Sequence, residues 1–151
     1  MAGSLRQSVK LAVTRASGSE FFVSKTLISS NNTVAAQNLT SVASGRIYIY
    51  DIVLKTDSTG LAGGTNFVIS TTNAKGTTTV LAETVTNLGA NKTVSMQNPK
   101  TQASLNSNPT VLEAGAKLQF ATTVAAGTGA GTIDIIIYCV RVDENAQLTN
   151  A

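Results

Sequence analysis

The chain has 151 residues, enough for one domain with its own core, and only 13% of them are charged, about half of the roughly 25% usual in a soluble domain. Its net charge is +3, and it has no histidine, no tryptophan and one cysteine. Those absences exclude the His-dependent triads, the commonest general base, an intrachain disulfide and any zinc site built from cysteine and histidine.

Thr, Ser and Asn stand where charge is missing, and the β-branched Thr suits a pleated, half-exposed surface. A neutral surface of this kind repels its neighbours weakly, which fits a protein that packs against others; a monomeric sandwich would carry it too. Met1 to Arg6 is followed by no long apolar stretch, so the sequence predicts neither a signal peptide nor a membrane span. Residues 1–30 form a basic segment, an arm or added strands. Arg6, Lys10, Arg15 and Lys25 face a single acid there, Glu20. These cations are spaced apart and not interleaved with aromatics, which argues against direct nucleic-acid binding.

Short β-branched runs between Gly, Asn and Ser clusters recur along the chain, the pattern of a sandwich or barrel. Val9, Leu11 and Val13 alternate with polar or small residues over 8–14, and Ala16-Ser17-Gly18-Ser19 turns the chain. Phe21-Phe22-Val23 and Leu27-Ile28 then make a strand or part of the arm, and Val34 to Leu39 is a weaker strand. Arg46 to Lys55 is the clearest strand. Alternation puts Ile47, Ile49, Asp51 and Val53 on one face and Tyr48, Tyr50, Ile52 and Leu54 on the other. Both faces are largely apolar, so the strand is central, with the second face covered by an arm or a neighbouring subunit. A buried Asp51 would then need donors.

Further strands are predicted at Asn66 to Thr72, Thr77 to Leu81, Thr84 to Thr86, Lys92 to Met96, Val111 to Leu112, Ala116 to Thr122 and Thr132 to Val142. Asn73-Ala74-Lys75-Gly76 reads as a hairpin turn, and Asn98 to Pro109, which holds both prolines, as a surface loop. Residues 31–144 thus make one β-sandwich and 145–151 a polar tail.

Chemistry is sparse. The eight acids are scattered, and Cys139 sits in the apolar run Ile135 to Val140, where a cysteine is an inert small hydrophobe. The glycine-rich stretches at 60–64 and 127–131 lack the lysine and the following helix of a phosphate loop and read as β-turns. We expect no catalytic residue, no cofactor, no metal ligand and no enzymatic activity.

Three stretches resemble the jelly-roll decoration, or cement, proteins of tailed-bacteriophage capsids: Arg46 to Lys55, the turn and strand Val111-Leu112-Glu113-Ala114-Gly115-Ala116-Lys117-Leu118-Gln119-Phe120, and Thr132 to Val140. The likeness spans roughly residues 31–143. It implies an antiparallel, jelly-roll-like sandwich of about eight strands, trimeric, on the capsid exterior, made in the host cytoplasm, with the N-terminal arm on the major capsid protein. The expected contacts are Arg6, Lys10, Arg15 and Lys25, with Phe21 and Phe22 as anchors. Two other roles stay open: a head-fibre or tail-fibre module or small capsid subunit, and a carbohydrate-binding sandwich, which the scarcity of aromatics opposes.

Overall fold

The computed structural model describes residues 20–28, 36–61, 66–96, 110–122 and 131–150, with backbone and register alone for 20–28. Ten strands run through them: β1 (Glu20–Ile28), β2 (Gln37–Ser44), β3 (Ile47–Thr56), β4 (Asn66–Asn73), β5 (Gly76–Thr84), β6 (Thr93–Ser95), β7 (Thr110–Leu112), β8 (Lys117–Thr122), β9 (Thr132–Arg141) and β10 (Gln147–Asn150).

The strands pair antiparallel in two sheets. The first runs β1-β9-β3, with β6 and β7 side by side along the far edge of β3; the second runs β10-β2-β8-β4-β5. Strands β1 to β4 alternate between the sheets, β4 and β5 form a hairpin, and β8 and β9 cross again. With β7 and β10 set aside, the orders 1-9-3-6 and 2-8-4-5 are two interlocked Greek keys. That is the jelly roll, an all-β antiparallel sandwich.

Alternation explains why these residues form these sheets. In β9, Ile133, Ile135, Ile137 and Cys139 are buried while the residues between them are half-exposed. Ile47, Ile49, Ile52 and Leu54 of β3 join them from one sheet, and Leu39, Val42, Phe67, Ile69, Leu81, Leu118 and Phe120 from the other, in one continuous core. Phe67 and Phe120 stack there with centroids 5.9 Å apart, a contact beyond plain area burial. The predicted hairpin turn joins β4 to β5: Asn73 Oδ1 accepts the Lys75 N–H at 2.8 Å, and Gly76 takes a φ of +126°.

Three expectations shift. Strict alternation along β3 fails because a bulge falls between Ile49 and Asp51, which pair with the consecutive residues Cys139 and Tyr138. Tyr50 is the extra residue, and it resets the parity. Ile52 and Leu54 therefore enter the core with Ile47 and Ile49, while Asp51 and Val53 turn outward with Tyr48. Second, Thr84-Val85-Thr86 is not a strand of its own. β5 runs through Thr84, and Val85–Leu88 is a 3-10 turn. The buried Glu83 carboxylate accepts both the Thr84 N–H and the Asn87 side-chain amide at 2.8 Å, and buried Val85 and Leu88 pin the turn to the core. Third, the weak run read at Val34 to Leu39 reaches into β2, which spans Gln37–Ser44 and so extends five residues beyond it; Val34 and Ala35 lie outside the described residues.

Glu20–Ile28, within the segment expected as arm or added strands, forms β1, and residues 147–150 of the polar stretch pair with β2 as β10, where Leu148 packs against the core. The strand expected at 8–14 and the loop at 98–109 lie outside the described residues.

Candidate interaction surface

The first sheet turns one face inward and carries an apolar strip on the other. Ile136, Tyr138 and Val140 of β9 lie on that outer face, all half-buried. Val53 of β3 pairs with Ile136, Asp51 with Tyr138 and Tyr48 with Val140. Val111 of β7 extends the last row beyond Tyr48 and is 49% exposed. The bulge brings Tyr50 over the strip as well, with its ring 6.1 Å from that of Tyr138 and tilted by 41°. At one end the strip closes on Lys55 and Asp134, which stand directly opposite each other, a favourable cross-strand placement. The strip therefore combines tyrosines, which offer area and a polar tip, with branched aliphatics.

At the other end of the sandwich, the turns after β2, β7 and β9 meet. Arg46 holds Asp143 through two nearly parallel bonds, Nε to Oδ2 at 3.0 Å and Nη2 to Oδ1 at 2.9 Å. This fork matches a carboxylate. The Arg46 side-chain hydrogen bond holds the Asp143 carboxyl below its usual range. The Gly115 N–H donates to Val42 O and the Ser44 hydroxyl to Asn145 O, tying the three turns together. Exposed Val142 (46%), Glu113 and Glu144 lie in these turns. Glu20, the first residue of β1, pairs with Val140 at this end.

The end nearer Lys55 is organised by Asp57. Its carboxylate accepts from Thr59 N and Gly60 N through Oδ1 and from Thr132 N and Oγ1 through Oδ2, at 2.8–3.1 Å. A polar recess of about 480 Å³ beside it is lined by Thr86, Asn87, Asn91, Lys92 and Thr93. Among the described residues no three His, Cys, Asp or Glu side chains group as a metal site would need, and no helix is long and apolar enough to cross a membrane.

Of the residues expected to bind a partner, Arg6, Lys10 and Arg15 lie outside the described residues. Phe21, Phe22 and Lys25 are in β1, in register with Cys139, Tyr138 and Ile135. The strip on β3 and β9 was foreshadowed by the two doubly apolar strands. Which residues face outward was not, because the bulge exchanged Ile52 and Leu54 for Asp51 and Val53.

No protein-family model matches the chain, and no curated protein matches it in sequence. Solved structures give distant likenesses. One is to a chain of the acid-stable capsid of Helicobacter pylori bacteriophage KHP30, at 9% identity and TM-score 0.43, covering 87% of this chain and 94% of that one. Another is to the infectious bursal disease virus VP2 subviral particle, at 12% identity and TM-score 0.22, over 84% of this chain and 39% of that one. A third is to the Gx strain of the same virus, at 11% identity and TM-score 0.21, over 85% and 38%. At such scores the jelly roll rests on the strand order of this chain itself.

Proposed function

We propose that the chain is a structural virion protein that decorates a phage capsid from outside, binding the major capsid protein and bridging capsomers as a homotrimer. The observation that carries this reading is the strip of Tyr48, Tyr50, Val53, Ile136, Tyr138 and Val140 on the sheet face turned away from the core. A sheet whose outer face is apolar gains stability when a neighbour covers it, and tyrosines are enriched in such contacts. The low charge and the resemblance of three stretches to capsid decoration proteins point the same way. Several weak contacts per trimer would sum to tight attachment. The fold also serves lectins; the polar recess at Asn87 and Asn91 favours that second reading, but its lining holds no aromatic platform for a sugar ring.

Cryo-electron microscopy of purified native particles tests the proposal. Trimers of this sandwich on the outer shell where capsomers meet are the expected result. A particle with this chain absent, or inside the shell, would overturn it.

A further inference from the structure

Charge is divided between the two sides of one end of the sandwich. On the side of the first sheet, where β3 begins and β7 and β9 end, stand Glu113, Asp143 and Glu144. Arg46 is beside them, already held by Asp143 at 2.9 Å. Arg141, at the end of β9, is half-buried and turns its Nε to Ala146 O at 3.0 Å. Glu113 and Glu144 are exposed. Val142, 46% exposed, lies with them, its N–H on Arg46 O at 3.0 Å. This side is therefore acidic with an apolar spot.

The second sheet carries the opposite sign at the same end. Lys117 opens β8 opposite Thr72 of β4, and Lys75 is in the turn that follows β4. Both lysines are exposed. β2, β4, β8 and β10 contain no acid, and the one acid of β5, Glu83, is fully buried. A row of hydrogen bonds fixes the surface around the lysines. The Thr72 hydroxyl donates to Gln119 Oε1 at 2.8 Å and lies 2.9 Å from the Thr77 hydroxyl, and Gln119 Nε2 donates to Asn38 Oδ1 at 2.8 Å. Only the turn from Glu113 to Ala116 separates the acidic side from the basic one.

A closed ring of three copies has a heterologous interface, in which one patch of each copy meets a different patch of the next. Two patches of opposite sign on one chain meet that requirement, and like charges facing each other would reject the wrong pairings. We propose that neighbouring copies in the homotrimer join through these two surfaces, with Glu113, Val142 and Glu144 of one copy against Lys75 and Lys117 of the next. The charges set register and choice of partner, and Val142 supplies apolar area. This pairing rests on the proposed homotrimer and leaves the strip around Tyr138 free to face a capsid.

Sedimentation equilibrium of the full chain over a range of concentrations tests it, with melting curves to show that each variant is folded. The wild type should be a trimer. Glu113→Lys/Glu144→Lys and Lys75→Glu/Lys117→Glu should each raise the concentration at which the trimer dissociates at least about tenfold. The first pair makes the chain more positive and the second less, so net charge alone cannot weaken both. All four substitutions together put opposite signs back in contact and should return that concentration to within about threefold of the wild type. A trimer that either folded double variant leaves intact, or a folded fourfold variant that stays dissociated, would overturn the pairing and leave the trimer standing. A wild-type monomer would overturn both.

Discussion

Asp57 and Thr132 are joined by three hydrogen bonds. The Asp57 N–H donates to Thr132 O at 3.2 Å, and Thr132 returns its own N–H at 3.0 Å and its hydroxyl at 3.1 Å to Asp57 Oδ2. The other carboxylate oxygen accepts from Thr59 and Gly60, and Asp57 O accepts from Asn91 N at 2.7 Å. One residue thereby fastens the turn after β3, the segment before β6 and the start of β9.

Those donors stabilise the charged carboxylate, so the Asp57 pKa lies below its ordinary value, chiefly through the Gly60 N–H and then the Thr59 N–H. A folded-state pKa below the unfolded one gives stability that is present above about pH 4 and lost as pH falls through the folded value. Asp143, lowered by Arg46, acts in the same window. Asp57→Asn should lower the melting temperature at pH 7 by roughly 5 °C, and the gap to the wild type should narrow below about pH 4. Thermal melts between pH 7 and pH 2.5 read both effects; a gap constant across that range would contradict them.

The bulge in β3 predicts an asymmetry between two deletions. Removing Tyr50 restores one-to-one pairing with β9 and leaves Ile47, Ile49, Ile52 and Leu54 facing inward. It forfeits the ring contact with Tyr138, about 0.5–1.5 kcal/mol. Removing Val53 instead turns Leu54 outward and Lys55 into the core. Circular dichroism melts should show a cooperative transition within about 5 °C of wild type for the first deletion and none for the second.

Gly131 packs where no side chain fits. A Cβ there would overlap the Gly60 carbonyl, and Gly60 in turn abuts Gly89, its bridge partner. All three contacts are backbone, so no side chain can swing aside. Gly131→Ala should cost more than about 4 kcal/mol and give insoluble protein. Gly115 is the control: its φ is +84° but nothing lies within 4 Å of an added Cβ. Gly115→Ala should cost about 1–2 kcal/mol, the left-handed backbone penalty alone, as read by urea titration.

Cys139 faces the core opposite Ile49, and burial pushes its thiol pKa up to about 12. The thiolate is the reactive form. A thiol reagent at pH 8 should therefore modify the native protein at least roughly 1,000-fold more slowly than the urea-unfolded chain, timed by absorbance. Comparable rates would place the thiol outside the core.

Much of the sandwich was legible from alternation. Leu118 and Phe120 against Lys117, Gln119 and Ala121, and the apolar run at 135–140, fixed β8 and β9 because a side-chain period of two is written directly in the residues. What was not legible came from register. Nothing in period-two reading anticipates an extra residue, although the three-residue step from Ile49 to Ile52, across Tyr50-Asp51, was its visible trace. β10 escaped notice because a short polar strand is sheet-forming only once β2 offers it an edge. The Asp57 hub was equally hidden, since it joins residues 75 positions apart in the chain.

The outer strip on β3 and β9 is the surface proposed to dock on a capsid. Co-sedimentation of the full chain with purified capsid shells prepared without this protein is the decisive measurement. The account predicts saturable binding, weakened at least about tenfold in Ile136→Ser/Tyr138→Ser under conditions where that variant remains folded by its melting curve. No saturable binding by the wild type, or equal binding by the folded variant, would contradict it.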